Sequence, residues 1–320
     1  MTETKPHHIE IESVFSNSTD QYNASVPQLY QSATFKQDSL SNMGEYDYTR
    51  SGNPTHTHIF PVTSDEVIAG DDFFGGTHRL LTYMNAKGDL NVVHCYITDI
   101  DAMKASITPR TKMIFLESPT NPLIKVCDVK AICDHAHAVN PDLLSATKYL
   151  NGHHDIVAGV ITTRDPSVAE RLYLVINSMG CGLSLFHCWL LSRGLCTLAV
   201  RVERQQQNCR KTAHFLELFG FNVHYPVLHS HPQYELHLRQ CSGDGAVLSF
   251  ETGSVKLLEK IFEACDIFGI AVSFGCVNSL ISMPCKMSHA SIDAKTREER
   301  DMPEDLIRLC IGIKNIDDLI

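Results

Sequence analysis

Short apolar runs alternate with amphipathic stretches through the first half of the chain. Residues Asn91–Ile97 and Lys112–Leu116 are apolar runs typical of strands, and Ile100–Ile107 between them has the spacing of a helix. A strand, a helix and a second strand in this order predict a parallel pair, because the helix carries the chain back across the sheet. The pattern therefore predicts an α/β fold with functional loops at the carboxyl ends of its strands.

The pattern changes character near residue 207, where helices and short strands of a smaller α+β domain begin. We predict an N-terminal arm over residues 1–45, a large domain over 46–206 and a small C-terminal domain over 207–320. Further predicted elements are helices at 128–139, 185–207 (interrupted at Arg193-Gly194), 212–218 and 256–268, strands at 155–162, 247–250, 270–274 and 306–311, and a loop at 177–182.

Composition narrows the function classes. The 320 residues are 43% hydrophobic and 20% charged, as in ordinary globular proteins, and the net charge of −10 argues against a nucleic-acid partner. No apolar run reaches membrane-spanning length, and Met1–Glu10 lacks the features of a secretory signal. The 12 cysteines include no Cys-x-x-Cys pair, and the 17 histidines have no accompanying ligand cluster. We expect reduced thiols in the cytoplasm, no membrane association and no metal.

The most informative stretch is Ser145-Ala-Thr-Lys-Tyr-Leu-Asn-Gly-His153. A lysine amine is nucleophilic only when its pKa is lowered, and the apolar pairs Leu143-Leu144 and Tyr149-Leu150 could hold Lys148 away from bulk water. The hydroxyls of Ser145 and Thr147 beside it suit a cofactor with both an aldehyde and a phosphate, which is pyridoxal phosphate. The alternative is a solvated surface lysine, as most lysines are.

This stretch resembles the cofactor-lysine motif of the Cys/Met-metabolism family of pyridoxal-phosphate enzymes. Four other stretches resemble family motifs in the same order, namely Tyr46–Thr55, Gly75–Thr77, Glu117–Pro122 and Leu306–Gly312. The resemblance implies a fold-type I, aspartate aminotransferase-like architecture with a mostly parallel sheet. It also implies pyridoxal 5'-phosphate as cofactor and a homotetramer built as a dimer of dimers, with active sites shared by two subunits.

The resemblance assigns one group of residues to the cofactor. Tyr48 and Arg50 match residues that reach the cofactor phosphate of a neighbouring subunit, and Ser145 and Thr147 flank the lysine. Phe74 stands where relatives have a tyrosine that stacks on the pyridine ring, so it keeps the flat face without the hydroxyl. A surface arginine at Arg50 and a buried core aromatic at Phe74 remain the alternatives.

A second group is assigned to substrate and catalysis. Lys148 is the expected catalytic residue, which holds the cofactor and moves the α-proton. Asn121 lies near the cofactor's phenolic oxygen and the substrate carboxylate in relatives, although an asparagine between prolines could merely shape a turn. Arg308 matches the arginine that clamps the carboxylate, and Ser273 is a further substrate contact. Val272 stands where γ-acting relatives have glutamate.

The chain departs from the family at two places. After Thr55, relatives continue with a helix and a Ser-Gly-Met loop that binds the phosphate, whereas here residues 56–63 lead directly to Val67–Thr77. Before the lysine motif, relatives insert a buried strand and a helix, whereas Asn140–Leu144 runs straight into Ser145. We therefore expect one central strand to be absent, together with the aspartate that pairs with the pyridinium nitrogen.

The resemblance implies carbon–sulfur β-elimination of the amino acid L-cystathionine, giving homocysteine, pyruvate and ammonia for methionine biosynthesis. Residues Ser279–His289 resemble the plant-type β-acting enzymes, which favours this reaction. Two alternatives stay open. One is a γ-acting lyase or synthase, and the other is a catalytically impaired relative that lacks the pyridinium aspartate.

Overall fold

The computed structural model describes residues 66–72, 75–87, 91–136, 142–144, 146–163, 165–290, 292 and 294–320. These residues form two compact units. The lysine unit has its described residues within Pro141–Arg201, and the sheet unit has them within Thr63–Asn140 and Val202–Ile320. The domain boundaries proposed from the sequence stay a prediction.

The described elements are, in chain order, β1 (Glu66–Gly70), α1 (Gly75–Lys87), β2 (Asn91–Cys95), α2 (Ile100–Ser106), β3 (Thr111–Phe115), α3 (Val129–Ala136), β4 (Asp142–Leu144), β5 (Val160–Thr162), α4 (Pro166–Met179), α5 (Leu185–Leu195) and α6 (Leu198–Leu218). They continue as β6 (Asn222–His224), α7 (Tyr234–Gln240), β7 (Val247–Glu251), α8 (Val255–Ala264), β8 (Gly269–Ile270), β9 (Leu280–Ser282), α9 (Ala294–Glu299), β10 (Leu306–Cys310) and α10 (Ile316–Leu319).

The predicted parallel strands are confirmed in the sheet unit. Strands β1, β2 and β3 form a parallel sheet in the order β2-β1-β3, in which Ile68 pairs with Val93 on one side and Ile114 on the other. All five residues of β1 are buried, because a middle strand between crossover helices has no solvent face. Ile68, Ile97, Met103 and Ile132 pack together as its core. Helix α2 begins at Asp99, whose carboxylate accepts from the Ala102 N–H at 2.9 Å.

A second sheet of five strands, in the order β6-β7-β10-β9-β8, also belongs to the sheet unit. Strand β10 is central and runs antiparallel to β7 and β9. Its flanking residues are buried apolar side chains, whereas Arg308 in the middle pairs in register with Ser249 and Ser282. The small serines on both sides leave room around the guanidinium.

The lysine unit contains a short antiparallel pair, β4 with β5, in which Leu143 lies opposite Ile161. Between these strands, Ala146–Leu150 forms a single helical turn of the π type, which we call the lysine turn. Strand β4 is an element that sequence reasoning did not predict. It pairs with only three residues of the predicted 155–162 strand, since β5 begins at Val160.

Four other predicted elements are wrong in extent. The interruption at Arg193-Gly194 is absent, because α5 continues to Leu195 and the break falls at Cys196–Thr197. Helix α4 runs through residue 179 into the predicted loop, and α8 ends at Ala264 instead of 268. The predicted 270–274 strand reduces to Gly269–Ile270, because Ser273 has φ +73° and turns the chain away.

Among the described residues, no single helix has the length and apolar content to cross a membrane. Helices α5 and α6 meet those criteria only together, across a 60° bend.

Candidate active site

The lysine turn places Lys148 at a break in the helical backbone. Its φ of −87° and ψ of −121° are non-helical, whereas the residues around it complete the turn. The Gly152 N–H donates to the Lys148 carbonyl at 2.8 Å, and Gly152 has φ +78°, which favours glycine. The lysine side chain is half-buried. The turn therefore presents a half-buried lysine, a residue whose primary amine can react with an aldehyde.

Hydrogen bonds of the residues after the lysine turn hold the backbone where it leaves the turn. Asn151 is buried, and its side-chain amide donates to the Asp155 carboxylate at 2.6 Å. The Asn151 carbonyl accepts from His153 Nδ1 at 2.7 Å, so that nitrogen carries the proton. Both ends of the Lys148–His153 stretch are thus held by local hydrogen bonds.

Arg308 and Asn121 meet in the sheet unit. The Arg308 guanidinium donates through Nη1 to Asn121 Oδ1, and its Cζ lies 4.4 Å from the centre of the Phe274 ring. Phe274 is buried, so the ring supports one face of the guanidinium without water between them. This contact orients the planar guanidinium, a group that can bind a carboxylate through two parallel N–H bonds.

The loop that presents Asn121 is held at several points. His289 is fully buried and donates through Nε2 to the Asn121 carbonyl at 3.1 Å, while its Nδ1 lies 2.8 Å from Ser288 Oγ. The Ser249 hydroxyl, on β7, donates to the Pro122 carbonyl at 2.6 Å. These contacts tie the loop to the five-stranded sheet and therefore to Arg308.

Two carboxylates at the end of β1 hold the other side of this loop. Asp71 accepts from Lys125 Nζ at 2.8 Å and from the Ile97 N–H at 3.1 Å. Asp72 accepts from the Leu123 N–H at 3.2 Å. Burial raises the pKa of the Asp72 carboxyl, although the Thr120 hydroxyl and Lys125 act in the opposite direction.

The predicted site residues are placed as follows. Lys148 lies in the lysine unit, whereas Asn121, Ser273 and Arg308 lie in the sheet unit. Ser273 is exposed, beside the exposed Val272 that follows β8. Thr147 lies in the lysine turn, but its side chain is outside the described residues. Tyr48, Arg50, Phe74 and Ser145 lie outside them altogether, as does the 56–63 stretch where the resemblance predicts the loss of a phosphate loop.

Two contributors were missed by sequence reasoning. Phe274 was assigned only to a predicted strand, and His289 only to a stretch of resemblance. Neither residue type signals its role, because a phenylalanine and a histidine are common in cores. Their proximity to Arg308 and Asn121 follows from the fold alone.

A parallel sheet with crossover helices, a lysine turn and an arginine on an antiparallel strand define the class of a fold-type I pyridoxal-phosphate enzyme. The model of the family described as "Cys/Met metabolism PLP-dependent enzyme" matches residues 59–144 and 142–320. The chain belongs to this family. Its cofactor is pyridoxal 5'-phosphate, and the primary amine of the half-buried Lys148 suits the aldehyde of that cofactor.

Several similar proteins are named as cystathionine beta-lyases. Cystathionine beta-lyase of Neurospora crassa is 48% identical, with 99% of this chain and 82% of the relative aligned. The chloroplastic cystathionine beta-lyase of Arabidopsis thaliana is 40% identical over 95% of this chain and 77% of its own. The Neurospora alignment spans 375 positions, so the relative carries residues that this 320-residue chain lacks.

Solved structures give the same fold. Cystathionine gamma synthase of Xanthomonas oryzae pv. oryzae, in complex with cystathionine, has a TM-score of 0.92 at 28% identity, covering 98% of this chain and 96% of that one. Cystathionine gamma-lyase of Lactobacillus plantarum, complexed with L-serine, has a TM-score of 0.89 at 28% identity, with the same coverage. The fold-type I prediction is confirmed.

Proposed function

We propose that this chain is a pyridoxal-phosphate-dependent carbon–sulfur β-lyase that converts L-cystathionine to homocysteine, pyruvate and ammonia. The observation that carries the proposal is the 48% identity to a cystathionine beta-lyase along 99% of the chain. The contact of Arg308 with Asn121 and Phe274 supports it, because the substrate is an amino acid whose carboxylate needs a fixed anion site.

The chain's own residues divide the work. Arg308 binds the α-carboxylate, and Asn121 accepts a hydrogen bond that holds the Arg308 guanidinium in one orientation. The bound carboxylate in turn orients the Cα–H bond of the substrate. Lys148 would hold the cofactor through Nζ, and its free amine would remove the proton from Cα. When bound, the cofactor supplies an electron sink for the negative charge that this proton transfer leaves at Cα. Loss of the homocysteine thiolate from Cβ would follow, and water would hydrolyse the released aminoacrylate to pyruvate and ammonia.

The direct test is to incubate the purified protein with pyridoxal phosphate and L-cystathionine and to identify the products. Homocysteine with pyruvate is expected, and Lys148→Ala should abolish both products and the visible absorbance of bound cofactor. Cysteine with 2-oxobutyrate would overturn the β-elimination in favour of a γ-lyase. Val272 is exposed and stands at the position where γ-acting relatives have a glutamate. The valine supports the β-reaction.

A second candidate is a family member that no longer catalyses the reaction. It is favoured by one observation, since the two family-model matches meet at 142–144, where a strand, a helix and the pyridinium aspartate are expected from the resemblance. This candidate predicts no visible absorbance after incubation with the cofactor and no difference between the wild type and Lys148→Ala. Formation of homocysteine and pyruvate by the wild type, and not by Lys148→Ala, would exclude it.

We also propose that the enzyme is a homotetramer of the cytoplasm that acts in methionine biosynthesis. The resemblance to the family supports the tetramer, and the absence of a disulfide among all 12 cysteines supports a reducing compartment. Sedimentation equilibrium should give four times the mass of the 35.7 kDa chain. A monomer or dimer mass would contradict the tetramer.

A further inference from the structure

We propose that Arg201 is a positioning residue for Lys148, and this inference rests on the proposed function. Arg201 lies in the first turn of α6 and is 5% exposed. It is not a catalytic residue. Its role is to hold the backbone of the lysine turn so that the lysine amine points in one direction.

The side-chain hydrogen bonds of Arg201 go to the lysine turn, to α5 and to Thr197, the residue just before α6. Nη1 donates to the Tyr149 carbonyl at 3.0 Å, and Nη2 donates to the Leu150 carbonyl at 3.3 Å. Nη2 also donates to the Gly194 carbonyl of α5 at 2.8 Å, and Nε donates to Thr197 Oγ1 at 2.9 Å. One guanidinium therefore joins the two carbonyls that follow Lys148 to a neighbouring helix.

A guanidinium is suited to this place because its donors are planar and rigidly spaced. The carbonyls at the end of a helical turn have no partner within the turn, and a cation is favoured at that end. Burial lowers the pKa of the Arg201 guanidinium, but an arginine stays charged at neutral pH. No carboxylate forms a salt bridge with Arg201 among the described residues, so its contacts are to carbonyls and a hydroxyl.

Two glycines give independent support, because they mark where backbone must approach this cluster. A Cβ on Gly152 would lie 2.0 Å from Arg201 Nη1, and a Cβ on Gly194 would lie 2.4 Å from the Asn151 carbonyl oxygen. A side chain is thus excluded at Gly152, where it would meet the guanidinium, and at Gly194, where it would meet the Asn151 backbone. The close approach brings residues 149–152 directly against α5.

The consequence for Lys148 follows from the hydrogen bonds on its carboxyl side. Its own carbonyl accepts from Gly152, and the next two carbonyls accept from Arg201. The backbone on this side of Lys148 cannot rotate without breaking at least one of these bonds. An amine that is already oriented spends less binding free energy on ordering when it reacts.

The test compares two buried side chains one turn apart on α6. Arg201→Met removes the donors to the lysine turn. Gln205→Met is the matched control, because Gln205 is also buried but donates to the Cys276 and Ile311 carbonyls, at 2.7 and 3.2 Å. Both variants should lower the melting temperature, since each leaves buried carbonyls unpaired. Only Arg201→Met should change the lysine turn.

The first measurement is amide hydrogen exchange of the peptide covering 146–152, on protein without cofactor. We expect its protection to fall about tenfold or more in Arg201→Met, less in Arg201→Lys, and by no more than about twofold in Gln205→Met. Arg201→Lys keeps the positive charge but has fewer N–H donors than arginine. It therefore tests the contact with the lysine turn even if Arg201→Met folds poorly. Equal exchange in the wild type and both Arg201 variants would overturn the inference.

The second measurement is titration with pyridoxal phosphate, followed by the visible absorbance of bound cofactor and its midpoint on a pH titration. Arg201→Met should weaken the apparent affinity about tenfold and shift that midpoint, whereas Gln205→Met should do neither. Equal effects of the two variants would show that Arg201 acts through stability alone and would overturn the inference. A wild type without absorbance would overturn the proposed function instead, while the exchange experiment still decides the role of Arg201 on the turn.

Discussion

The Arg308 guanidinium lies over the Phe274 ring, 4.4 Å from its centre, while it donates to the side chain of Asn121. These contacts fix the cation in position and in rotation. An arginine held in this way needs little further ordering to bind a carboxylate, which lowers the entropic cost of binding such a group.

Arg308→Lys should weaken substrate binding more than turnover. A lysine keeps the charge but cannot make two parallel N–H bonds to a carboxylate, and it loses the flat contact with Phe274. We expect kcat/KM for L-cystathionine to fall about 100-fold, mostly through KM. Steady-state kinetics measure this. Arg239→Lys, at an exposed position of α7, is the control and should match the wild type. An unchanged KM in Arg308→Lys would exclude the carboxylate role.

His289→Leu should destabilise the loop that presents Asn121. The substitution leaves the Asn121 carbonyl without its buried donor, which costs about 1–3 kcal/mol of unfolding free energy. His289→Gln retains an N–H donor and should recover part of the loss. Urea unfolding measures the stability. The KM for cystathionine reports whether the loop still positions Asn121. If His289→Leu and the exposed control His214→Leu have equal stability and KM, the contact is without consequence.

His231 should make stability depend on pH below neutrality. Burial, followed by the charge of His224, lowers the pKa of His231 from 6.5 to about 4. The native imidazole stays neutral while the unfolded one gains a proton, so the contribution is full above pH 6.5 and is lost as the pH falls towards 4. The loss amounts to about 3 kcal/mol over this range.

Urea unfolding of the wild type and His231→Gln at pH 7, 5.5 and 4.5 tests this, because glutamine does not titrate. The wild type should lose stability relative to the variant as the pH falls. Parallel pH profiles of the two proteins would show that His231 makes no such contribution.

Asp72→Asn should stabilise the protein near neutral pH. Because burial raises the pKa of this carboxyl, the native state holds its proton more tightly than the unfolded state does. Stability therefore falls as the pH rises above the ordinary value of 3.8, and the penalty persists at pH 7. The amide keeps an acceptor for the Leu123 N–H without the charge. We expect the unfolding free energy of Asp72→Asn to exceed that of the wild type by about 1 kcal/mol at pH 7, and to equal it below pH 3.8.

Thermal unfolding at pH 7 and at pH 3.5 measures that difference. A lower melting temperature of Asp72→Asn at pH 7 would mean that the attraction of Lys125 for the carboxylate outweighs its burial.

Local pattern predicted the elements whose partners are close in sequence. Strands β2 and β3 and helix α2 between them follow from periodicity, because each buries one face against the next. The 270–274 stretch failed for a tertiary reason. Its residues have a strand-like composition, but the strand covers only Gly269 and Ile270, and the last hydrogen bond to β9 is donated by the Ala271 N–H to the Ile281 carbonyl at 3.2 Å. The predicted helix interruption at Gly194 failed for a similar reason. Gly194 lies inside α5, where the absence of a side chain allows the Asn151 backbone to approach the helix closely.

The sequence by itself determined the family and the parallel strands, and it predicted Lys148 as the cofactor lysine, because motifs and periodicity lie in consecutive residues. The tertiary structure alone decided that Arg308 meets Asn121 across 187 positions of the chain. It alone decided that Arg201 reaches the carbonyls of the lysine turn from 52 positions away. Contacts of this range depend on how buried elements pack, and no local preference of the residues involved encodes them.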